Sequence, residues 1–292
     1  MAGTSIPVAL AVAVCGIVSM PQGPPGRGEK TADPTTVTVP LELVAGRPIV
    51  SVQVNGRGPF RFLIDPLATM TRLDAAVADQ LKVHRPPQAG GQAPAAYRID
   101  LQIGDVAVRD VEMEPIDMVA MAAGFGPTAR PNGILGGSVW NGRLLTLDFG
   151  SWKVGLASGA LPPPNGVSVF SIDPEHVASG IPVVVAGNQL TATLDVLFAG
   201  GLVLPASPAL RFPLDKGPVL VRVLPTRGDA ITVNEMTLAA NVEILSVVLA
   251  RPALLTSRQV RMPTLGTAWL GSFVVIIDAA NRRAQLVPRR AS

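Results

Sequence analysis

Short runs of apolar residues recur along this chain, and most of them alternate with polar positions before they stop. Residues 60–64 (FRFLI) alternate and then become wholly apolar, ending on the lone acid Asp65. Residues 99–108 (IDLQIGDVAV) alternate on both sides of Gly104–Asp105, which predicts a two-residue hairpin. Runs rich in Val, Ile, Leu and Thr are separated by Gly and Pro, and long helical patterns are missing. This periodicity predicts an all-β chain. One apolar run differs. Residues 6–20 are too short for a spanning helix and fit the core of an export signal.

The pattern also repeats. FLIDPLATMTRL (62–73) resembles ATLDVLFAGGLVL (192–204), which matches Asp65 with Asp195 and fixes the offset between the copies at 195 − 65. Leu135–Gly136 matches Leu265–Gly266, and Asp148 matches Asp278, at that same offset. Asn234–Glu235 stands at the same offset from Gly104–Asp105 and is expected to form the equivalent hairpin turn. These landmarks divide the chain into an export signal (1–25), a tether (26–36), a first lobe (37–157), a Pro-rich linker (158–167), a second lobe (168–288) and a tail (289–292).

Composition then removes several functions. At 48% hydrophobic and 15% charged, 292 residues can bury sizeable cores. Net charge is +3, basic residues are scattered and aromatics make up 4%, so no nucleic-acid surface is expected. The single cysteine, Cys15, excludes an intramolecular disulfide. Lipid attachment at Cys15 is an alternative to signal cleavage, and membrane contact is expected only through that N-terminal segment. His84 and His176 sit in Pro-flanked polar stretches without metal-ligand spacing, so no metal or other cofactor is expected. The GGSVW stretch (136–140) lacks the second Gly of a nucleophile elbow. Asp148 and Asp278 lie between apolar runs and read as turn formers.

Two β-rich halves, each with a strand ending in Asp and a later apolar-apolar-Gly step, resemble the aspartic proteases. The chain is most similar to exported bacterial retropepsin-like proteins with both lobes in one chain. The resemblance implies an all-β fold of two barrel lobes related by a pseudo-twofold, with a cleft between them that takes an extended peptide. It implies Asp65 and Asp195 as the dyad, which would share a proton across a bound water. It also implies that Leu135–Gly136 and Leu265–Gly266 pack beside the acid loops. In the family the acid is followed by Thr or Ser and then Gly. Here Pro66–Leu67 and Val196–Leu197 take those places. Neither Pro66 nor Val196 carries the hydroxyl that braces the two loops, and Pro66 lacks an N–H as well. Leu67 and Leu197 are expected to strain or redirect the turn, with Gly200–Gly201 absorbing the strain. The resulting expectation is a protease-fold protein with impaired catalysis that binds an extended peptide or envelope partner. The alternative is an active endopeptidase working through Asp65 and Asp195. The family's covering hairpin would fall near residues 86–97, where Tyr97 reads as an ordinary packed residue.

Overall fold

The computed structural model describes residues 36–83, 96–119, 125–126, 129–173, 180–209, 211–224, 226 and 230–289. The export signal, Cys15, His84, His176 and residues 86–95 of the expected flap lie outside the described residues. Tyr97 is described. It is 2% exposed and begins a strand, as a packed tyrosine would.

The first lobe contributes β1 (Val37–Pro40), β2 (Glu42–Val44), β3 (Arg47–Val54), β4 (Arg57–Ile64), β5 (Thr71–Asp74), β6 (Tyr97–Ile103), β7 (Val106–Ile116), β8 (Gly133–Leu135), β9 (Arg143–Asp148) and β10 (Lys153–Ser158). The second contributes β11 (Val169–Ser171), β12 (Ile181–Val185), β13 (Asn188–Leu194), β14 (Leu202–Pro205), β15 (Leu214–Leu224), β16 (Ile231–Leu238), β17 (Val242–Ile244), β18 (Val247–Leu249), β19 (Ala253–Ser257), β20 (Thr264–Leu265), β21 (Phe273–Asp278) and β22 (Arg283–Pro288).

Strand pairing repeats between the lobes. In the first, β4 runs parallel to β8, β8 antiparallel to β5, and β5 parallel to β7. In the second, β13 runs parallel to β20, β20 antiparallel to β14, and β14 parallel to β19. The first-lobe sheet is ordered β2-β3-β4-β8-β5-β7-β6, and an extra β3–β6 pairing closes it on itself. Closure removes the sheet edge and buries the inward positions Val52, Phe62, Ile64, Ile99 and Leu101.

A third sheet, β1-β10-β9-β21-β22-β11, joins the lobes. At its centre β9 and β21 are antiparallel, and Thr146 faces Ile276, its own repeat partner. The pseudo-twofold passes between them. Asp148 and Asp278 close the turns that follow β9 and β21. Asp148 Oδ1 accepts the N–H groups of Gly150 and Ser151, and Asp278 Oδ1 accepts that of Asn281.

Asn234–Glu235 requires correction. It lies inside β16 and makes no turn. The hairpin equivalent to Gly104–Asp105 joins β17 to β18 at Leu245–Ser246, where Leu245 has φ 54° against 55° for Gly104. The turn therefore comes later in the second lobe than the common offset places it. The second lobe spends extra residues on β15 and recovers the spacing with a shorter link from β19 to β20. At Asn234–Glu235 an alternating strand carries the same pattern as an alternating hairpin, and the shared offset is a coincidence.

Arg289, past the end of β22, pairs with Asp148 of the first lobe. Partial burial works against the Asp148 carboxylate. Hydrogen bonds from Ser151, the Arg289 charge and the Gly150 N–H outweigh it and hold the group below its usual range. A depressed pKa adds stability above the unfolded value and loses it as pH falls through the folded value. Arg289→Ala should therefore lower Tm by about 2–3 °C at neutral pH. The difference should vanish once pH drops well below about 4, the ordinary Asp value. Thermal melts across pH test this, and a difference that grows on acidification would refute it.

Candidate functional site

Each acid sits just past the end of a strand that pairs in parallel with a Leu-Gly element. β4 delivers Asp65, whose N–H donates to Leu135 O at 2.9 Å. β13 delivers Asp195, whose N–H donates to Leu265 O at 3.0 Å. Both loops turn at once. Ala68 N–H donates to Asp65 O at 3.1 Å, and Phe198 N–H donates to Asp195 O at 3.2 Å. Gly137 N–H reaches Ala68 O at 2.8 Å, and Thr267 N–H reaches Phe198 O at 2.9 Å. Every one of these partners keeps the offset between Asp65 and Asp195, so the acid loops and their supports are built alike.

The residues after the acids do not behave as the sequence suggests. Leu67 N–H donates to Asp65 Oδ1 at 3.2 Å, and Leu197 N–H donates to Asp195 Oδ1 at 2.8 Å. Neither leucine has a positive φ. The N–H that a glycine was expected to supply is supplied by leucine on ordinary backbone. The expected strain is absent, and Gly200–Gly201 does not absorb any. Those glycines make room instead: a Cβ on Gly201 would lie 2.3 Å from Trp269 Nε1.

Gly136 and Gly266 allow the Leu-Gly elements to meet the acid loops. A Cβ on Gly136 would lie 2.6 Å from Ala68 Cβ, and one on Gly266 would lie 2.4 Å from the carbonyl oxygens of Gly200 and Phe198. The Thr71 hydroxyl adds a bond from Gly136 N–H at 3.1 Å.

The hydroxyl positions are apolar and buried, Pro66 beside Asp65 and Val196 at 1% exposure. Other contacts join the lobes here. Leu197 is 3% exposed and packs with Ile49, Leu63, Met118 and Ile134 of the first lobe. The turn between β2 and β3 reaches back: Thr267 Oγ1 donates to Gly46 O at 2.5 Å. Gly46 lies so close to Ala199 that a Cβ would fall 2.4 Å from that side chain.

Asp65 is 3% exposed, whereas Asp195 is intermediate. Each lines its own cavity. The one beside Asp65 has a volume of about 260 Å³ and is walled by Leu67, Arg72, Ile134 and Leu197. The one beside Asp195 has about 220 Å³ and includes Phe198, Val203, Ile231 and Met262. Thr226, beyond the end of β15, also lines the second cavity, so the long β15–β16 hairpin walls it. Sequence reasoning placed a covering hairpin in the first half and missed this one. Its three register shifts break the alternation that would have marked it.

Arg47 was also missed. It is 4% exposed, with its guanidinium carbon 3.6 Å from the centroid of the Phe125 ring. Desolvation by burial pulls its pKa down to about 10, so it stays a cation at neutral pH. Phe125 packs against the cluster that holds Leu197. A single Arg after a turn glycine carries no sequence signal for such a position. Among the described residues, no three His, Cys, Asp or Glu side chains gather where a metal ion could sit.

Residues 50–139 match the aspartyl protease family. The aspartic proteinase from Irpex lacteus superimposes on 87% of this chain and 97% of its own, with a TM-score of 0.50 and 12% identity. The chain has the aspartic-protease fold. At that identity the solved structure speaks for the fold alone. No curated protein matches by sequence. The family match contains Asp65, its loop and Leu135–Gly136. The second half carries the fold through its repeated strand pairing.

Proposed function

We propose that this aspartic-protease-fold protein binds an extended peptide across the two acid loops and has lost efficient hydrolysis. The observation that carries the reading is the replacement of both hydroxyl positions by buried Pro66 and Val196. Aspartic-protease chemistry needs two carboxyls that share one proton and hold a water between them. Small errors in their mutual placement cost large factors in rate. Pro66 and Val196 cannot hydrogen-bond across the lobes through a side chain, and the Leu197 contact that replaces the brace is non-directional. Peptide binding needs less: a cleft, apolar cavities and main-chain partners for an extended strand.

Hydrolysis through Asp65, Asp195 and a bound water is the second reading. The bonds from Leu67 and Leu197 N–H to the two carboxylates favour it, because they orient each acid without glycine. The apolar segment at residues 6–20 supports export to the cell envelope or beyond, where an envelope protein would be the partner.

The test is digestion of an unfolded protein from acidic to neutral pH, with and without pepstatin. Wild type is expected to give no pepstatin-sensitive cleavage while still binding peptides from a pooled library. With the leucine N–H bonds in place, the two hydroxyls and the N–H at position 66 are what is missing, so Pro66→Thr with Val196→Thr is expected to gain activity. Pepstatin-sensitive cleavage by wild type, lost in Asp65→Asn, would establish the second reading instead.

A further inference from the structure

The sheet that joins the lobes has two unlike faces. Leu145, Leu147, Val275 and Ile277 point into the shared core and are fully buried. Their neighbours along β9 and β21 point the other way, and the register lines them up across the strands. One row runs Pro40, Lys153, Asp148, Val274 and Val287. The next holds Gly155, Thr146, Ile276 and Gln285. The linker crosses this outer face at its Asp278 end, where Leu161 N–H donates to Asp278 Oδ2 at 2.9 Å and Arg283 Nη1 donates to Leu161 O at 2.7 Å. Away from the linker, Val274 and Ile276 are half-buried, Val287 is 40% exposed and Pro40 is exposed. Trp152, 53% exposed, stands in the turn between β9 and β10, next to Lys153.

The exposed charge of this face is positive. Its acids are engaged: Asp148 by Arg289, Asp173 at the edge by Arg282, and buried Asp278 by Leu161 N–H and Asn281. Lys153 is exposed and stands opposite Asp148, whose carboxylate Arg289 already holds. The chain also joins the molecule here. Thr36 precedes edge strand β1, and its Cγ2 lies 3.6 Å from where a Cβ on Gly155 would stand, on the outer face. The apolar run of residues 6–20 lies upstream of that point. Apolar residues, an interfacial tryptophan and cations together match the surface of an anionic bilayer. A second copy seated on this face would instead bring the Lys153 and Arg289 side chains of both molecules together.

We propose that the outer face of the joining sheet docks on an anionic lipid bilayer. Trp152, Val274, Ile276 and Val287 enter the interfacial layer, and Lys153 and Arg289 meet lipid phosphates. Binding of this kind grows with the apolar area buried and with the attraction of cations to anionic headgroups. The lobes pack on the opposite face of the sheet, so docking leaves them on the side away from the lipid. The contact is separate from any anchoring by residues 6–20, and it does not depend on whether the protein binds or cleaves peptide.

The test mixes the full chain with vesicles of phosphatidylglycerol or of phosphatidylcholine, each carrying brominated acyl chains that quench tryptophan on contact. Trp140 is 1% exposed, Trp269 is half-buried, and residues 1–35 contain no tryptophan. Quenching therefore reads Trp152 and not insertion of the N-terminal run. Wild-type fluorescence is expected to be quenched by the anionic vesicles, less by the zwitterionic ones, and less as salt rises. Trp152→Phe should remove the quenching while the protein still cosediments with the vesicles. Lys153→Glu should weaken binding to the anionic vesicles by about tenfold. Lys153→Gln should weaken it by a smaller factor, and serves if the charge reversal impairs folding. Cosedimentation without quenching of Trp152, or quenching unchanged in both Lys153 variants, would overturn the proposal. A dimer in solution that Val287→Asp dissociates would overturn it too, by giving the face to a second copy.

Discussion

Leu197→Asp should cost on the order of 10 °C in Tm, the larger of the two losses expected at the acid loops. Leu197 is 3% exposed and closes a small cluster with Ile49, Leu63, Met118 and Ile134 across the lobe boundary. Removing a buried leucine side chain costs about 2–5 kcal/mol. A carboxylate in its place adds the penalty of an ion in an apolar cluster. Leu67→Asp supplies the control. Leu67 has the same place in the other loop and the same N–H bond to its acid, but is only partly buried. Its loss should be much smaller. Equal melting shifts for the two variants would sink the claim that Leu197 is the apolar substitute for the missing brace.

Gly266→Ala should destabilise strongly, at or above the usual range of about 1–3 kcal/mol for an overpacked core. The backbone at Gly266 is extended, with φ −116° and ψ −179°, so conformation does not require glycine. Space does. The new Cβ would lie 2.4 Å from Gly200 O and from Phe198 O, and both are backbone atoms of the second acid loop. The loop would have to move, taking the Gly266 N–H bond to Gly201 O, now 2.7 Å, with it. Gly271, in the turn before β21, has φ −58°, and a Cβ there would meet no atom within 4 Å. Gly271→Ala should be neutral or slightly stabilising, through the unfolded state. Thermal melts of the pair decide the matter, and a harmless Gly266→Ala would show that the acid loop yields.

Much of the fold was legible because a β-barrel lobe leaves local marks. An apolar run ending in one acid, and a distant Leu-Gly step, depend on strands that must be buried beside each other. Phe62–Ile64 and Gly133–Leu135 pair residue by residue, and so do Thr193–Leu194 and Thr264–Leu265. Asn234–Glu235 failed as a landmark because polar residues in an alternating run mark a turn or an exposed strand face equally well. The compensating insertion that moved the hairpin to Leu245–Ser246 is invisible to an ungapped comparison. The β15–β16 hairpin was missed for a related reason: its bulges interrupt the period that reveals a strand.

The sequence by itself determined the β-rich class, the repeated acids and the absence of hydroxyls at Pro66 and Val196. These are matters of residue identity and local period. Tertiary structure alone decided how the acid loops turn. A backbone N–H reaches a carboxylate whichever side chain it carries, so Leu67 and Leu197 fill the place that the resemblance assigns to glycine. It also decided what couples the lobes, because Leu197, Thr267 and Gly46 meet only after the chain has folded across its pseudo-twofold.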